Sequence, residues 1–173
     1  MPQMKEKIKI PKGYTRRERA AIAQEIIDFI RFRTREQGRD KNGKLFKGYS
    51  KAYKESLDYK ISNKGGKVNL TLSGELIDSV KKVADSDGEI VIGHDGRSGK
   101  LNGKAEGNIK GTYGDDNRKN RTPRDYLGIS KTQLSKIIRN YPLEDRLERL
   151  KSLAIFEASK QASEEVVIDA NEE

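Results

Sequence analysis

The chain contains one histidine, His94, and no cysteine, which leaves little from which to build a nucleophilic or thiolate metal site. His94 stands beside Asp95 at the end of a predicted strand. Neighbours on a strand point to opposite faces, so the pair does not make a dyad, and no serine sits in a nucleophile-elbow sequence. A lone histidine at the mouth of a surface loop is expected to be structural. Gly93-His94-Asp95-Gly96-Arg97-Ser98-Gly99-Lys100 imitates a phosphate-binding loop, whose backbone amides would cradle a polyphosphate. Its spacing is one residue too long, and Leu101 stands where Ser or Thr would hold magnesium. Arg39-Asp40-Lys41-Asn42-Gly43 opens like an EF-hand loop, but the glycine comes at the fourth position from Asp40, not the sixth, and no Glu follows at the twelfth. Asp115-Asp116 are adjacent acids with nothing convergent. The residues that could do chemistry therefore predict no catalytic, cofactor or metal site.

The elements that would position these residues are clearer. Thr15-Arg16-Arg17-Glu18 has the capping-box pattern. Behind it Ile22, Ala23, Ile26, Phe29 and Ile30 recur at three- and four-residue spacing, predicting a helix of about six turns that ends near Gly38. Asn42-Gly43 is turn chemistry. Phe46 to Tyr59 carries Phe46, Tyr49, Tyr53 and Leu57 among lysines, with Ser50 as an N-cap. The segment reads as amphipathic and half-buried; base stacking by its tyrosines is the competing use. Val68 to Leu72 alternates like a strand and leads into a short helix beginning at Ser73 or Gly74. Lys81–Ala84 and Glu89–Gly93 flank Asp87-Gly88 as a hairpin. Residues 93–122 carry glycines at 93, 96, 99, 103, 107, 111 and 114, and predict an extended, basic, glycine-rich loop that gains order against a neighbour. Pro123 fixes an extended segment. Two amphipathic helices follow, one with Leu134, Ile137 and Ile138, the other from Leu143 to about Ala162.

Only 33% of residues are hydrophobic, 36% are charged, and the mean hydropathy is −0.90. Such a composition supplies a thin core and suits a subunit whose surface is completed by neighbours. The formal charge is +9; the last eleven residues, Ser163 to Glu173, hold five carboxylates and no Lys or Arg, so the rest carries +14. A basic body predicts contact with a polyanion or an acidic protein surface. Inside the acidic tail, Val166-Val167-Ile168 is β-prone and could frame a partner's edge strand. Met1 to Ile10 alternates lysine with apolar residues and has no signal-peptide core, and no apolar run approaches the roughly 20 residues that cross a bilayer. Synthesis in the cytoplasm, without a membrane partner, is expected. The fold class that emerges is α+β: a long N-terminal helix and C-terminal helices packed on a small antiparallel sheet. Residues 1–162 would form one domain and 163–173 the acidic tail.

Four stretches in order give the chain a resemblance to a known group. The first joins the turn at Asp40, Gly43 and Phe46 to Gly48-Tyr49-Ser50-Lys51-Ala52-Tyr53. The second is Leu70-Thr71-Leu72-Ser73-Gly74-Glu75-Leu76-Ile77-Asp78-Ser79. The third is Lys104-Ala105-Glu106-Gly107-Asn108 with Gly111-Thr112-Tyr113-Gly114, and the fourth is Arg124-Asp125-Tyr126-Leu127-Gly128-Ile129-Ser130. Together they resemble the bacteriophage virion-morphogenesis, or neck and tail-completion, proteins. Ser73 departs from the threonine of that pattern, and the C-terminal helix and tail fall outside it. The resemblance implies a structural virion subunit in a homo-oligomeric ring, with hexameric symmetry expected because phage tails are six-fold. Its neighbours would be connector or head-closure proteins and the tail terminator or tail tube. On that reading Lys100, Lys104, Lys110, Arg118, Lys119 and Arg121 would meet packaged DNA non-specifically or contact adjacent subunits. The competing function is a non-specific nucleic-acid-binding module that uses the basic, tyrosine-rich segments.

Overall fold

Thr15 caps the first helix as its sequence predicts. Its Oγ accepts from the Glu18 amide while the Glu18 carboxylate accepts from the Thr15 amide at 2.7 Å, so two otherwise orphaned donors are satisfied. In the computed structural model, which describes residues 4–61, 68–70, 74–94, 99–112, 122–143, 148, 151 and 155, helix α1 spans Arg16–Phe32 and continues into a π-helical turn over Arg33–Gln37. Gly38 ends it at φ +63, the left-handed cap conformation that a side chain disfavours. Ile22, Ala23, Ile26, Ile27 and Ile30 form its buried face.

The fold is α+β. Strands β1 (Lys5–Lys9), β2 (Val80–Ser86) and β3 (Glu89–His94) make one antiparallel sheet in the order β1-β3-β2. The hairpin between β2 and β3 turns on Asp87-Gly88, with a register shift between Lys82 and Ala84 that absorbs an extra residue on β2. β1 pairs Ile8 with Ile90 and Glu6 with Ile92. Alternation then puts Ile8, Ile10, Ile90 and Ile92 on one face, where α1 lies across the sheet and all four are buried. Arg19 fastens α1 to β2 through Asp85 at 2.8 Å. Hydrogen bonds from Lys82 and Arg19 hold the Asp85 carboxyl below its ordinary range.

The remaining helices are short. Ser50 caps α2 (Lys51–Glu55) by accepting from the Tyr53 amide, and α3 (Leu57–Ile61) follows at once. Helix α4 is Glu75–Asp78, α5 is Gly99–Lys110 and α6 is Lys131–Ile138. Helix α6 lies against α1. The chain divides into two compact units, Met1–Ile138 and Arg139–Glu173. No helix among the described residues is long and apolar enough to cross a membrane.

Two local expectations need correction. The extended glycine-rich loop expected over 93–122 is helical from Gly99 to Lys110. Leu101, Ala105 and Ile109 recur every four residues, and Asn102 and Ala105 are buried. An added Cβ on Gly99 or Gly103 would meet nothing within 4 Å, so these glycines face open space. Packing of the opposite face outweighs their helix penalty of about 1 kcal/mol each. Residues 95–98 and 113–121 lie outside the described residues. The expected strand over 68–72 is also absent where it is described. Val68 to Leu70 forms no ladder, and Leu70 takes φ +53, which breaks an extended path. Val68 instead lays its carbonyl against Gly38, where a Cβ would come within 2.9 Å of that oxygen. Gly38→Ala is therefore expected to combine left-handed strain with a backbone clash and to cost about 2 kcal/mol, read as a lower urea midpoint.

Candidate functional site

The segment Arg124–Gly128 is where the motif-bearing stretches meet. Arg33, Thr34, His94, Tyr126 and Leu127 are all buried around it. Arg33 leaves the end of α1 pointing inward and donates through Nη2 to the Tyr126 carbonyl at 2.6 Å. Its Nη1 donates to the Gly128 carbonyl at 3.1 Å and, at 3.5 Å, to that of Lys41. The guanidinium also sits over the Phe29 ring, 5.5 Å from its centroid. Burial lowers the Arg33 pKa to about 10 against the opposing pull of Asp40 and Asp125, so the group remains a cation at neutral pH. It is a buried charge held chiefly by main-chain oxygens.

On the other side of the same segment runs a chain of side-chain hydrogen bonds. Tyr126 Oη lies 2.7 Å from His94 Nε2, and Ser79 Oγ lies 2.7 Å from His94 Nδ1. Ser79 donates to the Leu76 carbonyl at 2.9 Å, so it can only accept from the ring, which places the ring proton on Nδ1. Burial pushes the His94 pKa down to about 4, so the ring is neutral and Nε2 accepts from the Tyr126 hydroxyl. Burial, with Asp125 adding to it, raises the Tyr126 pKa well above its ordinary value. The chain therefore reads Tyr126 O–H to His94 to Ser79 to the Leu76 carbonyl. A hydroxyl activated for attack must give its proton to the imidazole; Ser79 does the opposite. The arrangement is suited to fixing three segments together.

The first motif stretch joins through its turn. Asp40 Oδ1 accepts from the amides of Asn42 and Lys44, and Gly43 takes φ +84, so the turn closes on its own aspartate. Phe46 continues it with an amide bond to the Gly38 carbonyl. Lys41 reaches Asp125 at 2.9 Å and Glu6 at 3.7 Å, and Asp125 foremost raises its pKa. Arg124 stacks over Tyr49, 5.3 Å from the ring centroid. Tyr49, Tyr53 and Tyr59 pack on one another at 4.9 to 5.8 Å. The second stretch contributes Leu76, Ser79 and Gly74, whose carbonyl accepts from the Ile77 and Asp78 amides. The third contributes the Asn108 carbonyl, which accepts from the Arg124 amide at 2.7 Å. The first and third stretches thus touch Arg124–Gly128, which belongs to the fourth, and the second reaches it through His94.

No family model matches the chain. No curated protein and no solved structure is similar to it either.

Of the cations expected to meet DNA or adjacent subunits, the three described ones do not gather in the hub. Lys104 lies 3.9 Å from Glu75 and Lys110 lies 2.6 Å from Glu106, while Lys100 is exposed at the start of α5. Leu72, Ser73, Arg118, Lys119 and Arg121 lie outside the described residues. Three residues of the hub escape a motif reading. His94, expected at the mouth of a surface loop, is fully buried. It shares the period-two face of Ile90 and Ile92, and that alternation was the signal for its burial. Arg33 and Thr34 fall three and four residues after Ile30, which places both on the continuation of the buried helical stripe.

Proposed function

We propose that the chain is a structural, non-enzymatic subunit of a bacteriophage neck or tail-completion ring, made in the host cytoplasm and carried in the virion. One observation carries this reading. The stretches that resemble the virion-morphogenesis pattern, far apart in sequence, gather about Arg124–Gly128 of the fourth: the first is bonded to it through Lys41, the third through Asn108, and the second reaches it through His94. A pattern whose residues form one physical cluster behaves as the signature of a fold and not as a set of coincidences. The hub uses its polar groups to hold main chain, as a scaffold does. Phe32, Leu45, Leu57 and Ile61, each more than half exposed, give the surface apolar points for burial against neighbours.

In this reading the subunit forms a closed ring, six-fold like the tail, between the connector or head-closure proteins and the tail terminator or tube. The competing nucleic-acid module has less support, since Tyr49, Tyr53 and Tyr59 turn their faces and edges to one another and to Arg124. The deciding measurement is mass in solution by light scattering, with and without phage connector and tail proteins. A ring-sized species in their presence is expected. A monomer that persists under both conditions, together with tight and steeply salt-dependent DNA binding, would overturn the reading in favour of the module.

A further inference from the structure

Among the described residues β1 is an edge strand. Its register with β3 runs from Lys5↔Gly93 to Lys9↔Glu89, and the Ile10 amide continues it by donating to the Gly88 carbonyl at 3.0 Å. Hydrogen-bonded pairs alternate along an antiparallel ladder. Glu6, Ile8 and Ile10 therefore turn their main-chain groups to β3, and Lys5, Lys7 and Lys9 turn theirs to the open edge. The same period sends Ile8 and Ile10 into the core and leaves the three lysine side chains exposed. Among the described residues one carboxylate stands against this row, Glu89 at 3.6 Å from Lys7.

Lysines on an edge repel another basic strand, which protects the edge from pairing with a second β1. They select an acidic one. A strand that joins here needs a β-prone backbone without proline, and acids at alternate positions on one face. Ser163–Glu173 has that sequence. In an extended chain Glu165, Val167 and Asp169 share one face and Val166 and Ile168 share the other, and no cation interrupts them. A nucleic acid would answer the lysine charges but not the main-chain donors and acceptors that β1 leaves open.

We propose that the acidic C-terminal segment of a second copy of this chain adds to β1 as a fourth strand. Glu165 and Asp169 lie over Lys5, Lys7 and Lys9, and Val166 and Ile168 take the side of Ile8 and Ile10. The contact is head-to-tail, so it propagates around a ring instead of closing a pair; it deepens the ring reading and rests on it for the second copy.

Two experiments test this. In the first, a fluorescent peptide of residues 163–173 is titrated into the full chain carrying Glu164→Lys, Glu165→Lys and Asp169→Lys, which disables its own tail. Saturable binding is expected, weakened at least about tenfold when Lys5→Glu, Lys7→Glu and Lys9→Glu are added. Because a proline removes a ladder donor, either Val166→Pro or Val167→Pro in the peptide should abolish binding, whichever way the strand runs. In the second, the full chain reversed at the three lysines and the full chain reversed at the tail are weighed alone and mixed. Self-association should be lost in each and regained in the mixture. Circular dichroism confirms that both variants fold. Peptide binding that ignores the lysine reversal, or that survives both prolines, overturns the proposal. So does peptide binding without a mass gain on mixing, which would place the tail on its own chain, or a short DNA duplex that occupies the row more tightly than the peptide. A wild-type chain that stays monomeric beside its connector and tail proteins would remove the ring reading, whether or not the peptide binds.

Discussion

Arg33→Met should destabilise the protein by about 3 kcal/mol, read from urea denaturation at neutral pH. Methionine fills much of the space but donates nothing. The Tyr126 and Gly128 carbonyls, now bonded at 2.6 and 3.1 Å, would be left buried without their donors, at roughly 1–3 kcal/mol for each group. The variant also relieves a cost, because Arg33 is a buried cation without a direct carboxylate contact among the described residues. The predicted loss therefore stays near the lower end of the sum. Arg33→Lys should recover less than half of it, since one ammonium cannot span two carbonyls as the planar guanidinium does. A Met variant within about 1 kcal/mol of the wild type would show that Arg33 does not hold the segment.

The second large effect is a loss of stability in mild acid. His94 has an ordinary pKa of 6.5 and is held near 4 in the folded chain. Between those values the unfolded chain binds a proton that the folded chain refuses, so unfolding is favoured as pH falls. The contribution of the neutral ring is complete above about pH 6.5, shrinks progressively below it, and is gone near pH 4. A separation that wide amounts to about 3 kcal/mol. Asp85 acts with the same sign in a different window. Its carboxyl, ordinarily 3.8, is lowered, so its contribution is lost only at more acid pH. Denaturant titrations from pH 7.5 to 4 should thus show the wild type losing stability in a range where His94→Gln, already less stable at neutral pH, loses far less. Parallel pH curves for the two proteins would mean that His94 is accessible to protons in the folded state.

How much of this was legible beforehand depended on the distance over which each signal acts. The capping box at Thr15 and Glu18, the stripe of α1, the Ser50 cap and the Asp87-Gly88 turn are local. Each was readable because the residues that determine it lie within a few positions of one another. β1 was written in the alternation of lysine with isoleucine from Lys5 to Ile10, but an isolated five-residue strand acquires meaning only from β3, some eighty residues later in the chain. Helix α5 was obscured by glycine content, which speaks of backbone freedom and not of the four-residue stripe that packs. The hub was the least legible part. Its bonds connect Arg33 with residues 126 and 128, and Ser79 with His94 and Tyr126. Nothing in residue spacing shows that an arginine will meet a carbonyl so far along the chain. The four motif stretches were readable only as an ordered set, and that the other three gather about a segment of the fourth was visible only in three dimensions.

Arg33 grips oxygens that every amino acid carries. Substitutions at the positions it contacts therefore leave its own acceptors in place, whereas gain or loss of a residue between Pro123 and Gly128 would slide both carbonyls out of register with a guanidinium anchored at the end of α1. Over evolutionary time the segment is thus free to drift in side-chain chemistry where no other partner reads it, yet is constrained in length. Arg124, Asp125 and Tyr126 are the exceptions, because Tyr49, Lys41 and His94 read their side chains. Divergent relatives of this protein should be aligned on the ungapped spacing of that stretch, with the tyrosine as its anchor.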